Sequence, residues 1–222
     1  MKNILIVNGS PRGDRSHSRR LVELFVNQWQ LQNPADLLKY REVGRANLPH
    51  ISEDWIAAAF TPPAERTLKM KVCLSKSDEL VDELLWADVL IMGVPIYNWS
   101  VPSSFKAYMD QVMRIGRTWT FESGVPDGVY KGLLENKKMY LVSSRGDFGY
   151  EKGGHNEHMN FQSTYVKLVF GIMGIKDVEE VILENEEYGG EQFSESIKKA
   201  EKRIKSMLRA GGVKEITTCE AW

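Results

Sequence analysis

Three short stretches of this chain gather the residue types from which a site for an anionic, ring-bearing ligand can be built. The first is Asn8-Gly9-Ser10-Pro11-Arg12-Gly13-Asp14-Arg15-Ser16-His17-Ser18, where an apolar run gives way to small hydroxyl residues and then to a helix start. The hydroxyls of Ser10, Ser16 and Ser18, with free backbone N–H groups at a helix N-terminus, are the donors a phosphate dianion requires. An imidazolium at His17 would add positive charge beside them. The stretch is neither a GxGxxG nor a Walker loop ending in Gly-Lys-Ser/Thr, which disfavours NTP hydrolysis. Taken alone it also reads as an N-cap followed by a turn.

The second stretch is Val94-Pro95-Ile96-Tyr97-Asn98-Trp99-Ser100-Val101-Pro102. A flat heteroaromatic ring needs an apolar bed and a few aimed polar groups, and this segment offers both. Asn98 and the neighbouring N–H groups are placed to bond ring heteroatoms, while Tyr97 and Trp99 supply contact surface; the plainer alternative is a buried corner whose prolines fix the start of a helix. The third stretch, Ser143-Ser144-Arg145-Gly146-Asp147-Phe148-Gly149-Tyr150, contains Gly146, which permits close backbone approach.

These stretches follow strands. Apolar runs at 2–8, 36–43, 88–94, 137–144 and 178–183 alternate with segments of helical period, the pattern of an α/β parallel sheet. Four runs are nearly continuous in apolar residues, as strands covered on both faces are; the second, with Asp36, Lys39, Arg41 and Glu42, reads as an edge. Leu21, Leu24, Phe25 and Trp29 mark one helix, and Phe105, Tyr108, Met109, Val112 and Met113 another. Leu80, Val81, Leu84 and Leu85 predict a third, opened by Ser75 with Asp78 as a capping box. Residues 161–173 predict a fourth, and Phe193 to Leu208 a last one ending at Gly211-Gly212. Residues 44–72 read as a covering excursion with exposed Trp55 and Phe60, and residues 117–131 as a hairpin around Pro126-Asp127-Gly128. If the sheet is doubly wound in the order 2-1-3-4-5, all three polar stretches open at its carboxyl edge, where the strand order reverses.

Composition narrows the function. With 29 Lys+Arg against 30 Asp+Glu in 222 residues, the net charge of −1 leaves no electrostatic footprint for nucleic acid or an anionic membrane. No apolar run approaches the roughly 20 residues of a membrane span. The first apolar run breaks at Asn8 with no small-residue cleavage site after it, so it reads as a strand in a cytoplasmic, single-domain protein over 1–222. The two cysteines, Cys73 and Cys219, have no metal-ligand spacing. His155 and His158 flank Glu157 without a third ligand, so no metal is expected, although His155 is a candidate for the pocket wall. No Gly-x-Ser-x-Gly elbow supports a hydrolase built on Ser10 or Ser144 with His155.

Asn8-Gly9-Ser10 followed by Ser16-His17-Ser18, then Pro95-Ile96-Tyr97-Asn98-Trp99, Ser144-Arg145-Gly146 and Phe170-Gly171-Ile172-Met173-Gly174-Ile175 resembles, in order and spacing, the FMN-dependent NADH-azoreductase and NAD(P)H:quinone oxidoreductase family of flavodoxin-like proteins. The resemblance runs from Lys2 to about Leu208, and the Pro-x-Tyr-Asn-aromatic segment is its most specific part. It implies bound FMN, with the phosphate held by Ser10 and Ser16 to Ser18 and the isoalloxazine by Pro95 to Trp99 and by Ser144, Arg145, Gly146 and Asp147. It further implies NADH or NADPH as co-substrate, quinones and azo compounds as acceptors reduced by two-electron ping-pong transfer, and a homodimer with flavin sites at the interface. Asn98 is expected to orient the ring, and Trp99 and Phe121 to sandwich it and its substrate. Two departures stand out: Asp147 replaces a second glycine, with a longer segment (148–160) after it, and Phe121 stands where relatives often carry Tyr. The Asp147 carboxylate is therefore expected to point away from the ring. The competing reading is a flavodoxin-like electron carrier without its own substrate, against which the balanced charge and the 44–72 excursion argue.

Overall fold

The computed structural model describes residues 1–122 and 130–210. Its central sheet contains five parallel strands, β1 (Asn3–Asn8), β2 (Leu37–Glu42), β3 (Val89–Pro95), β6 (Lys138–Ser144) and β7 (Asp177–Leu183), in the order β2-β1-β3-β6-β7. The remaining two, β4 (Trp119–Phe121) and β5 (Tyr130–Gly132), pair antiparallel as a separate hairpin. Counting only the central strands, the order is the doubly wound 2-1-3-4-5 expected from the sequence. The register runs level across the middle, Val7 opposite Met92, Met92 opposite Leu141 and Leu141 opposite Glu180.

Period-two alternation divides the core. Leu5, Val7, Leu90, Met92, Met139 and Leu141 face helices α3 (Leu68–Trp86), α4 (Ser103–Val112) and α5 (Ser163–Ile172). Ile4, Ile6, Val89, Ile91, Tyr140 and Val142 face α1 (His17–Gln32) and α6 (Gly190–Ala210). Each fully buried aliphatic side chain contributes roughly 1.5–3 kcal/mol, so both helical layers are anchored by the strands between them. β2 is the edge its charges suggested, with Leu37 and Tyr40 exposed. None of the described helices is long and apolar enough to cross a membrane.

The 44–72 segment, expected as a covering excursion, is partly helical. It contains α2 (Glu53–Phe60), whose Trp55, Ala58 and Ala59 form a small satellite core with Leu74 of α3. Trp55 is thereby buried, with its Nε1 donating to Gln111 Oε1 at 3.0 Å, while Phe60 is exposed. The capping box expected at Ser75 is not used. α3 is capped eight residues earlier, where Thr67 accepts from the Met70 N–H, because Met70, Cys73 and Leu74 extend its apolar stripe onto α2. α5 opens at Ser163, leaving Phe161 exposed.

The two hairpin strands pair as expected, and Trp119 is buried between them and the body of the chain, against Phe121 and Tyr130. Gly132 makes this docking possible: a Cβ there would lie 2.3 Å from the Gly174 backbone at the end of α5. The Pro126-Asp127-Gly128 turn and the Gly211-Gly212 cap lie outside the described residues.

Candidate functional site

The segments that follow β1, β3, β6 and β7 leave the sheet at one edge and enclose a cavity of about 400 Å³, within the range of small-ligand sites. Ser10, Arg12, Ser16 and His17 line one end. Pro95 to Trp99 form one side, and Ser144, Gly146, Asp147 and Tyr150 the other, with Glu186 and Glu187 at the rim.

The first end is an anion cradle. Ser16 caps α1 by accepting from the Arg19 N–H at 3.3 Å, and its Oγ lies 3.1 Å from Ser18 Oγ. Ser10 and Ser16 are buried, so a bound anion would meet hydroxyls shielded from competing water. The loop is held from below by Arg19, whose Nη2 donates to Ser10 O at 2.7 Å and whose Nε donates to Arg12 O at 2.8 Å. The same Nη2 donates to Glu42 Oε1 at 2.6 Å. Burial raises the Glu42 carboxyl, but hydrogen bonds from Arg19 and from the Arg45 N–H outweigh it and leave the group below its ordinary value. Gly44 completes the support, since a Cβ there would fall 2.0 Å from Ser10 O.

The side formed after β3 is a tight turn. Tyr97 and Ser100 exchange backbone hydrogen bonds of 2.8 and 3.0 Å, and Asn98 and Trp99 between them have φ of 47° and 63°. Two central residues at positive φ make this a type I′ turn. Its geometry turns the Asn98 and Trp99 N–H groups out of the ladder. The Ile96 N–H donates to Ser144 O at 2.8 Å, which ties this side of the cavity directly to the other.

Arg145 lies between the cavity residues Ser144 and Gly146 in sequence. Its side chain is wholly buried and does not line the cavity. Nε donates to Gln162 Oε1 at 3.0 Å, Nη1 to Glu151 and Glu184, and Nη2 to Ser163 and Glu180. Gln162 in turn donates to Val94 O at 2.6 Å. The guanidinium is therefore an internal clamp between the strands that carry the two walls, and only backbone near it is available to a ligand.

Asp147 lines the cavity with its charge already engaged. Oδ1 accepts from the Phe148 N–H at 2.8 Å and the Tyr188 hydroxyl at 3.1 Å, and Oδ2 from Asn156 Nδ2 at 3.0 Å. That hydrogen bond to Asp147 raises the Tyr188 phenol, and burial raises that of Tyr150.

Of the sequence-predicted residues, Ser10, Ser16, His17, Pro95, Ile96, Tyr97, Asn98, Trp99, Ser144, Gly146 and Asp147 meet in the one cavity. Ser18 lies behind Ser16 and is fully buried. Phe121 does not reach this chain's own cavity; it stands half exposed in the hairpin. His155 packs on Phe148, with ring centroids 4.9 Å apart, and does not line the wall. Among the described residues no group of three or more His, Cys, Asp or Glu is placed to hold a metal.

Arg12, Tyr150, Glu186 and Glu187 are cavity residues that sequence reasoning left unassigned. Arg12 sits inside the first stretch. The two glutamates follow the last strand of the sheet and leave at the same edge, so the topology alone was sufficient to find them. Hydrogen bonding to Glu186 raises the Arg12 guanidinium against the opposing effect of burial.

The donor set fits a flavin mononucleotide. Buried hydroxyls, the Arg12 guanidinium and the His17 imidazole meet at a helix N-terminus for the phosphate, and an aromatic turn with outward N–H groups faces a polar wall across a gap for the ring.

Comparison with known proteins agrees with this geometry. Residues 2–208 match a family described as having a flavodoxin-like fold. The chain is 43% identical over 213 residues to the FMN-dependent NADH:quinone oxidoreductase 1 of Pseudomonas fluorescens, covering 95% of this chain and all of that one. It is 42% identical, with the same coverage, to the FMN-dependent NAD(P)H:quinone oxidoreductase 1 of Pseudomonas aeruginosa. In fold it is similar to an azoreductase from Bacillus anthracis, with a TM-score of 0.84 at 23% identity over 95% of this chain and all of that chain. With cavity, strand order and whole-length similarity in agreement, the chain belongs to the flavodoxin-like family of FMN-dependent NAD(P)H:quinone oxidoreductases.

Proposed function

We propose that this chain is a cytoplasmic, homodimeric FMN-dependent oxidoreductase that uses NAD(P)H to reduce quinones and azo compounds by two-electron ping-pong transfer. The observation that carries the reading is the convergence of the three sequence stretches on one cavity, in a chain that aligns with quinone oxidoreductases over their whole length. The cytoplasm is assigned because the reaction consumes reduced nicotinamide coenzyme. The same relatives favour an enzyme over an electron carrier.

Bound FMN supplies the redox chemistry, taking a hydride from NAD(P)H and delivering two electrons to the acceptor. The protein supplies position and fixed dipoles. Ser10, Ser16, Arg12 and His17 would hold the phosphate, with Ser18 supporting Ser16. Asn98 and Trp99 would offer their N–H groups to the ring, and the Ser144–Gly146 wall would lie along its pyrimidine side, where fixed dipoles stabilise negative charge. No side-chain acid or base is needed for these tasks. The position of Phe121 favours a dimer: half exposed in the β4–β5 pair and outside its own cavity, it is available to roof the cavity of a second copy.

The test is a visible spectrum followed by anaerobic addition of NADH and then benzoquinone in one cuvette. A flavin band that bleaches with NADH and returns with quinone is the expected result. A colourless protein that takes up no added FMN overturns the reading.

A further inference from the structure

Arg12 and His17, the nitrogen donors at the phosphate end of the cavity, already have a carboxylate beside them. Arg12 Nη1 donates to Glu186 Oε1 at 2.5 Å, and His17 Nε2 lies 3.8 Å from the same oxygen. Arg12 and Glu186 are 174 positions apart, so this is a contact between the first and last loops of the cavity edge and not a local helix pair. All three side chains line the cavity with the buried hydroxyls of Ser10 and Ser16. Glu186 is held there by its backbone, since its N–H donates to Arg145 O at 3.4 Å and the Glu187 N–H donates to Gly146 O at 3.0 Å. Glu187 adds a second carboxylate to the rim, its side chain lying over Gly146.

We infer that Glu186 competes with the cofactor phosphate for Arg12 and His17 and thereby lowers the firmness with which this chain retains its flavin. The inference rests on the proposed FMN reading. Arg12 gives Nη1 to Glu186, so a phosphate arriving at this end must either displace that carboxylate or share the guanidinium with it. A phosphate seated between Ser10 and Ser16 also meets the Glu186 carboxylate as a like charge in a partly desolvated cleft. The expected consequence is an exchangeable flavin rather than a permanently held one, controlled from a loop that touches the phosphate end and not the ring.

The contribution is separable because riboflavin carries the same ring and no phosphate. FMN and riboflavin are titrated into apoprotein, following quenching of flavin fluorescence, for wild type, Glu186→Gln and Arg12→Gln. Glu186→Gln is expected to tighten FMN by about two- to fivefold, as for a partly exposed charge pair, and to leave riboflavin unchanged. The FMN gain should shrink at high salt. Arg12→Gln is expected to weaken FMN alone. Unchanged or weaker FMN binding by Glu186→Gln, or equal tightening of both flavins, overturns the inference while leaving the cofactor reading intact. Failure of wild-type apoprotein to bind either flavin overturns both.

Discussion

Tyr97 and Ser100 close a two-residue turn through reciprocal backbone hydrogen bonds, and the residue that sits left-handed at its second central position is a tryptophan. Type I′ turns favour Asn at the first centre and Gly at the second. Asn98 suits its place. Trp99, at φ 63°, does not, because a left-handed conformation costs an L-residue with a Cβ about 1–2 kcal/mol. Strain retained next to a binding cavity is a mark of function.

Trp99→Gly should therefore stabilise the apoprotein by about 1 kcal/mol, or leave it unchanged where the lost indole contact offsets the relief. Trp99 is 54% exposed, so that contact is small. Urea unfolding of apoprotein measures the first effect, and quinone reductase turnover, expected to fall, measures what the indole contributes to the site.

Asn98→Asp keeps a residue that tolerates positive φ and places a carboxylate where the ring would gain negative charge. Turnover should drop about ten- to a hundredfold, with flavin content retained. Steady-state assay with absorbance of the bound flavin tests both halves. Native turnover in a flavin-replete variant would remove Asn98 from the mechanism.

The fold and most of the cavity were legible because doubly wound sheets announce themselves as continuous apolar strands, and their switch point locates the site before any side chain is seen. What escaped was long-range. Arg145 stands between two cavity residues in sequence, yet its guanidinium turns inward because Glu180, Glu184 and Gln162 wait there from segments far along the chain. The type I′ turn was hidden because Trp99 occupies the position where glycine would have signalled it. Trp55 read as exposed because its partners, Gln111 and Leu74, lie 56 and 19 residues away.

Arg19 and Glu42 act on the phosphate loop without lining the cavity. Arg19→Ala removes the donors to Ser10 O and Arg12 O, and about tenfold weaker FMN binding is expected, the loss of one to two charge-assisted hydrogen bonds. The pH dependence has a definite sign. Glu42 is lowered in the folded state, so its contribution is complete above the ordinary carboxylate pKa and is lost as pH falls through the lower folded value. Unfolding midpoints for wild type and Glu42→Gln should therefore differ at neutral pH and converge in acid.

Tyr108 is fully buried in α4, with a hydroxyl that finds no hydrogen-bond partner among the described residues. Burial raises its phenol well above the ordinary value, with Glu83 adding to the effect. A phenol raised on folding adds no titration penalty while it is neutral, and it destabilises the native state as pH rises above the unfolded value of about 10, where the unfolded chain ionises first. Tyr108→Phe should stabilise the protein by about 1 kcal/mol at neutral pH by removing an unsatisfied polar group. It should also flatten the alkaline decline. Denaturant titrations between neutral and strongly alkaline pH test both, and a loss of stability at neutral pH would mean that the hydroxyl has a partner.

Phe121 offers a test of the dimer that does not depend on observing an interface. Asn98→Asp and Phe121→Ala are each expected to impair every site of their own homodimers. When the two are unfolded together and refolded as a mixture, half of the dimers carry one chain of each kind. If Phe121 roofs its partner's cavity, the Asn98 cavity of one chain is covered by the intact Phe121 of the other, and each mixed dimer regains one native site. Activity should then recover to about a quarter of wild-type turnover per chain. If Phe121 acts on its own chain, both sites of the mixed dimer carry a defect and mixing restores nothing. The half-exposed position of Phe121, outside its own cavity and fixed in a hairpin against Trp119 and Tyr130, favours recovery.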